Sequence, residues 1–120
     1  MGLQISTRKS GDITIVDLQG RLIIGASNDA LGAELRRIAE AGPCDVLINL
    51  TGVLQMDSSG ISTIVRSFVT LEHQGGSVKL LNPQGHVREV LELTRLINSI
   101  PTFTDESKAL ASFRGGVAHA

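Results

Sequence analysis

Apolar positions along the chain recur in two rhythms. From Leu3 to Gly20 they fall in two short runs, "LQISTRKS" and "DITIVDLQG", joined through Ser10-Gly11-Asp12. Runs of this length around a Gly-Asp turn signal predict a β-hairpin. Ile13, Ile15, Val16 and Leu18 make the second run apolar on both faces, so this strand is expected inside a sheet and to end at Gly20. The rhythm then changes. Leu31, Leu35 and Ile38 share one stripe of a helix over "SNDALGAELRRIAEAG", with Ser27 or Asn28 as its cap and Gly42-Pro43 as its stop. "DVLINL" follows as a nearly continuous apolar strand, the pattern of a sheet covered on both faces.

From Ile61 the spacing is helical again, through Ile64, Val65, Phe68 and Leu71, until Gly75-Gly76 ends it. "SVKLLN" is a further strand. Asn82-Pro83 is expected to open a third helix, with proline at its first position and Val87, Val90, Leu91 and Thr94 on one face. "NSIPTF" is a weak strand that Pro101 confines to a sheet edge. Asp105 caps a last helix with Leu110 and Phe113 turned inward, and "RGGVAHA" reads as a frayed tail.

The expected order is β-β-α-β-α-β-α-β-α, an α/β fold. Right-handed crossovers give a mixed, mostly parallel sheet of four to five strands with about four helices. The whole of 1–120 reads as a single domain, with a core over about 3–113 and a tail at 114–120. Two strand-to-helix connections, Gly20 to Ala26 and Thr51 to Asp57, are expected at one sheet edge, where open α/β sheets bind their ligands.

Composition narrows the choice of function. With three Phe and neither Trp nor Tyr, the chain lacks stacking platforms for bases or sugars. A net charge of −1 gives no electrostatic footprint for nucleic acid or an anionic membrane. The start "MGLQISTRKSGD" has no apolar signal core, and no apolar run approaches the roughly 20 residues that span a bilayer, so no direct membrane insertion is expected. Cys44 has no cysteine partner, which fits a reducing compartment, and a cytoplasmic location is expected. It reads as a small apolar residue at the start of a buried strand, and Arg36-Arg37 as a solvated helix face.

Candidate chemistry gathers where the third strand gives way to a helix, at Asp57-Ser58-Ser59-Gly60. Asp57 or Ser58 suffices to cap that helix, and one cap needs one residue. The surplus hydroxyls stand on the expected binding edge. A serine nucleophile needs a base and an oxyanion hole. His73 lies at the far end of the same helix, about 20 Å away at 1.5 Å per residue. His119 lies in the tail, and His86, after the next strand, is the one histidine expected near the edge. With no Gly-x-Ser-x-Gly elbow, no P-loop and no metal-ligand spacing, no catalytic residue, metal site or cofactor is assigned. A phosphorylation switch fits the residue types. Phosphate on Ser58 would add about −1.5 to −2 charges at a helix N-terminus, which tolerates them, whereas a partner packed over the loop would not.

The stretch "VLINLTGVLQMDSSGISTIVRSFVTLEHQGGSVKLLN" resembles the central signature of the STAS-domain anti-sigma factor antagonists, and with its flanking elements the resemblance covers roughly residues 3 to 113. The resemblance implies a regulatory binding protein, not an enzyme. Its expected partner is an anti-sigma factor that is also a serine kinase with a histidine-kinase-like ATPase fold. That kinase is expected to phosphorylate Ser58 and so break the complex, and a PP2C-type phosphatase to reverse this. Asp57, Ser59 and Gly60 would flank the switch. Many members carry a Leu-Asp pair after the strand-two glycine, where this chain has "GRLIIGAS" and no acid. This loop is expected beside Ser58 at the partner surface, with Arg21, Ile23, Ile24 and Ser27 as contact candidates; either isoleucine is equally an anchor in the core. A non-switching STAS scaffold, or a subunit of a stressosome or lipid-transport complex, is the alternative reading. A serine-nucleophile enzyme comes third.

Overall fold

The computed structural model describes residues 2–118, with side chains as far as Phe113. The elements run β1 (Leu3–Ser10), β2 (Ile13–Leu22), α1 (Ala26–Glu40), β3 (Asp45–Met56), α2 (Ser58–His73), β4 (Ser77–Leu81), α3 (Gly85–Leu93), α4 (Leu96–Ser99), β5 (Thr102–Phe103) and α5 (Glu106–Ala118). The strands form one sheet in the order β1-β2-β3-β4-β5. β1 pairs antiparallel with β2 through the turn at Gly11-Asp12, and every later pairing is parallel. The mixed α/β order read from the sequence is thus present, with one short extra helix, α4, between α3 and β5.

Two apolar layers sandwich the sheet. Val16, Leu18 and Leu22 of β2, with Ile48 and Leu50 of β3, meet Leu31 and Leu35 of α1, Ile64 and Leu71 of α2, and Val87 and Leu91 of α3. Alternate residues face the other way. Ile13, Ile15, Leu47 and Leu81 pack beneath Ala109 and Phe113 of α5, whose first turn Asp105 caps through the Lys108 amide, 3.0 Å. β2 and β3 therefore supply apolar residues to both layers, as central strands with both faces covered must.

Several boundaries differ from the expectation. β2 does not end at Gly20 but continues to Leu22. The segment from Thr51 onward is not a loop: β3 holds its ladder to Met56 by two irregularities, the pairing stepping from Asp17/Asn49 to Gln19/Gly52 and from Gly20/Val53 to Arg21/Gln55. Each step inserts one extra residue in β3, so Leu50, Val53 and Met56, three apart in sequence, all remain buried. Gly52 is required there, because a Cβ would lie 2.9 Å from the Leu18 carbonyl oxygen.

Two helix starts differ as well. α1 begins at Ala26 after Gly25 with no side-chain cap, so neither Ser27 nor Asn28 caps it. The Asn28 side chain instead accepts a 2.5 Å hydrogen bond from the Thr63 hydroxyl and ties α1 to α2. α3 begins at Gly85, two residues beyond Pro83. Asn82 takes a left-handed conformation (φ 53°) and its side-chain amide donates to the Thr51 hydroxyl, 3.2 Å, so Asn82-Pro83 serves the connection and not the helix. Finally, α5 runs on to Ala118, into the stretch expected to be a tail, while His119 and Ala120 lie outside the described residues.

Candidate functional site

The C-terminal ends of the parallel strands β2 and β3 lie side by side, with Arg21 opposite Gln55 and Leu22 opposite Met56. The chain leaves β3 at Asp57 in an extended conformation (φ −110°, ψ −175°) and enters α2 at Ser58. Four amides at a helix start lack intrahelical partners. Asp57 supplies two of them: its Oδ1 accepts from the Ser59 amide, 3.0 Å, and the Gly60 amide, 3.2 Å. The same oxygen accepts from the Ser59 hydroxyl, 2.6 Å. Oδ2 reaches across to the β2–α1 loop and accepts from the Ile24 amide, 2.9 Å, while the Asp57 amide donates to the Leu22 carbonyl, 3.3 Å. One carboxylate therefore caps α2 and fastens the neighbouring loop to it. The Ser59 hydroxyl first, then the Ile24 amide and the amides of Gly60 and Ser59, hold the Asp57 carboxyl below the usual carboxylate range.

Either Asp57 or Ser58 suited the cap by residue type, and Asp57 has the role. Ser58 occupies the first helical position with an exposed side chain, and among the described residues its hydroxyl joins no hydrogen bond. Gly60 is buried where α2 closes on β2: a Cβ would fall 2.8 Å from the Leu22 carbonyl oxygen and 2.7 Å from Leu22 Cγ. It shapes the site from beneath and leaves the accessible surface to Ser58. Ser59, half-buried, is engaged by Asp57.

Of the loop residues, Arg21 is exposed, Ile23 half-buried, and Ser27 half-buried in the first turn of α1. The two isoleucines differ in exposure. Ile24 stands out at 78% exposure, held by its own amide to Asp57. Leu54 was missed from the sequence. It is the extra residue at the second irregularity of β3, turned out of the core at 72% exposure. With Arg21, Gln55 and His86 it lines a shallow hollow of about 320 Å³. The signal that could have found it is the spacing of Val53 and Met56, which a bulge alone reconciles with continued burial. His86 does reach this edge, as its place after β4 suggested, and it makes no hydrogen bond to Ser58 among the described residues. Among those residues no helix is long and apolar enough to cross a membrane.

The comparisons with known proteins fit this geometry. The STAS domain model matches residues 4–109. The anti-sigma F factor antagonist of Paenibacillus polymyxa is 25% identical over 111 residues, covering 92% of this chain and 94% of that protein. The anti-sigma-B factor antagonist of Bacillus subtilis (strain 168) is 29% identical over 96 residues, covering 80% and 86%. The solved anti-sigma factor antagonist SpoIIAA in its unphosphorylated form aligns with a TM-score of 0.80 at 23% identity, over 93% of this chain and 97% of that one. The phosphorylated form of SpoIIAA, a Bacillus cell fate determinant, aligns with a TM-score of 0.71 at 20% identity, over 92% and 99%. Those two likenesses establish the fold. Since the family model takes in all but the ends of the sequence, this chain belongs to the STAS domain family.

Proposed function

We propose that this protein is an anti-sigma factor antagonist switched by phosphorylation at Ser58. In this reading the unphosphorylated chain binds an anti-sigma factor and thereby releases a sigma factor. The anti-sigma factor is also a serine kinase with a histidine-kinase-like ATPase fold. It transfers the γ-phosphoryl group of ATP to the Ser58 hydroxyl, and a PP2C-type phosphatase removes it. The observation that carries the reading is the division of labour at the start of α2. Asp57 caps the helix, so the exposed Ser58 hydroxyl has no structural duty. The names of the two relatives, and the occurrence of a protein of this fold in phosphorylated and unphosphorylated forms, support it.

The contact face comprises Ser58 itself, the exposed Ile24 and Leu54, and Arg21, with Ile23 and Ser27 at its margin and Asp57, Ser59 and Gly60 holding it in shape. Exposed apolar side chains around a polar centre suit a partner that excludes water there. A phosphate at the first turn of α2 meets the positive end of the helix dipole, so the fold accepts it. A partner packed over the same place must desolvate that charge beside Asp57, which costs several kcal/mol unless the charge is paired.

Two substitutions test this. Ser58→Ala leaves the Asp57 cap untouched; it should fold normally, bind the anti-sigma factor and resist release by the kinase. Ser58→Asp should keep or raise the melting temperature yet weaken that binding strongly. Equal affinities for the two variants would sink the switch.

A further inference from the structure

Away from the Ser58 edge, α1 and α2 leave a groove of about 230 Å³ between them, bordered by Gly32 and Arg36 on one side and Thr63, Arg66, Ser67 and Thr70 on the other. Among the described residues no carboxylate lines it. The Arg36 side chain folds back along its own helix: Nη1 lies 4.0 Å from where a Cβ on Gly32 would stand, and Thr63 Cγ2 lies 3.8 Å from the same point. Glycine at position 32 thus opens the space that the guanidinium overhangs. Arg37 and Arg88 pair with Glu34 and Glu92 on their own helices, but among the described residues Arg36 and Arg66 form no ion pair. Glu40 stands one turn beyond Arg36 on the same helix and, among the described residues, forms no ion pair with it. The hydroxyl protons of Thr63 and Ser67 are directed to Asn28 Oδ1, 2.5 Å, and to the Thr63 carbonyl, 2.9 Å, which leaves the guanidinium groups and Thr70 as the donors facing the groove.

We propose that this groove is a second docking point, which seats an acidic side chain of the protein partner that covers Ser58. The proposal rests on the reading that such a partner binds at that edge, and it extends the contact along α2. Two like charges over one groove repel each other, and a carboxylate between them turns that repulsion into two charge-assisted hydrogen bonds. The groove also adjoins the switch. Thr63 Oγ1 lies 3.1 Å from the Ser59 carbonyl, so the groove begins one helical turn from Ser59, the residue next to the exposed Ser58. A partner that covers Ser58 and wraps across α2 toward α1 reaches Arg66 and Arg36.

The test uses the whole chain and the anti-sigma factor kinase, with affinity measured at several salt concentrations and melting temperature alongside. Arg36→Gln combined with Arg66→Gln should weaken binding at least about tenfold at low salt and flatten its salt dependence. The melting temperature should not move, since both side chains are exposed. Thr70→Glu, which places the chain's own carboxylate in the groove, should weaken binding as well. Arg37→Gln removes the same charge from the next position, where Glu34 already holds it, and should leave affinity unchanged. Unchanged affinity in the double variant, with Ser58→Asp still weakening the complex, would overturn the groove and spare the switch. An equal loss for Arg37→Gln would reduce the effect to diffuse charge and overturn it too. If the unmodified chain does not bind the kinase at all, both readings fall.

Discussion

At the scale of single residues, the site turns on which side chain satisfies the amides of α2. Aspartate and serine are both good caps, so the pattern Asp57-Ser58 leaves the choice open, and only the position of the carboxylate decides it. The sequence made the place legible and not the assignment. The assignment has a pH signature. Because the folded-state pKa of Asp57 is lowered, its contribution to stability is complete above the ordinary carboxylate value of about 4 and is lost as pH falls below that, through the depressed folded value. Asp57→Asn should therefore lower the melting temperature at neutral pH and lose less on acidification below about pH 4 than the unmodified chain. Thermal melts from pH 7 to pH 3 check this; parallel curves would argue that the carboxylate is not the anchor. Gly60 is a second test at this scale. A methyl group there meets the Leu22 backbone at 2.8 Å, so Gly60→Ala should cost about 2 kcal/mol or displace the first turn of α2. Denaturant unfolding measures the loss.

At the scale of elements, the strongly periodic segments were legible and the irregular ones were not. The stripes of α1 and α2 and the apolar run of β3 need no tertiary information, because burial of one helix face or both strand faces writes itself into the spacing. The second half of β3 hides because its buried residues follow a spacing of three, at Leu50, Val53 and Met56, and two bulges are needed to fit that to a ladder. The start of α3 was misplaced because the left-handed turn at Asn82 depends on a hydrogen bond to Thr51, thirty-one residues away in the chain. These irregularities have a consequence for the contact face. The second bulge is what turns Leu54 outward, so its exposure is a property of the element and not of a flexible loop. Leu54→Ser should change stability by less than about 0.5 kcal/mol, as exposed positions generally do. It should nonetheless weaken binding of the anti-sigma factor, because an apolar contact on the proposed face is replaced by a hydroxyl. An unchanged affinity by titration calorimetry would remove Leu54 from that face.

At the scale of the whole molecule, the sheet separates two apolar layers, and the proposed switch belongs to one of them. Leu22 and Ile64, beneath the Ser58 edge, pack in the layer with α1, α2 and α3. The layer under α5 holds Ile13, Ile15, Leu47, Leu81, Ala109 and Phe113 and, among the described residues, shares no buried side chain with the first. α5 has polar fastenings of its own. Arg8 on β1 bonds to Asp17, 2.7 Å, and Glu106, 2.7 Å, and Lys79 stands 4.5 Å from the centre of the Phe113 ring while donating to the Ser112 hydroxyl, 2.8 Å. The exposed Arg8 pairs are worth about 1 kcal/mol at most. The buried ring carries more, and Phe113→Ala should cost about 3 kcal/mol through lost burial and the cavity left behind. Below the melting temperature of the variant, β2, β3 and α2 keep their own layer, so affinity for the anti-sigma factor and the rate of Ser58 phosphorylation should stay as they are. Stability by denaturant and affinity measured on the same preparation separate the two effects. A fall in affinity in fully folded protein would mean that α5 is coupled through the sheet to the edge at Ser58, and that the two layers act as one.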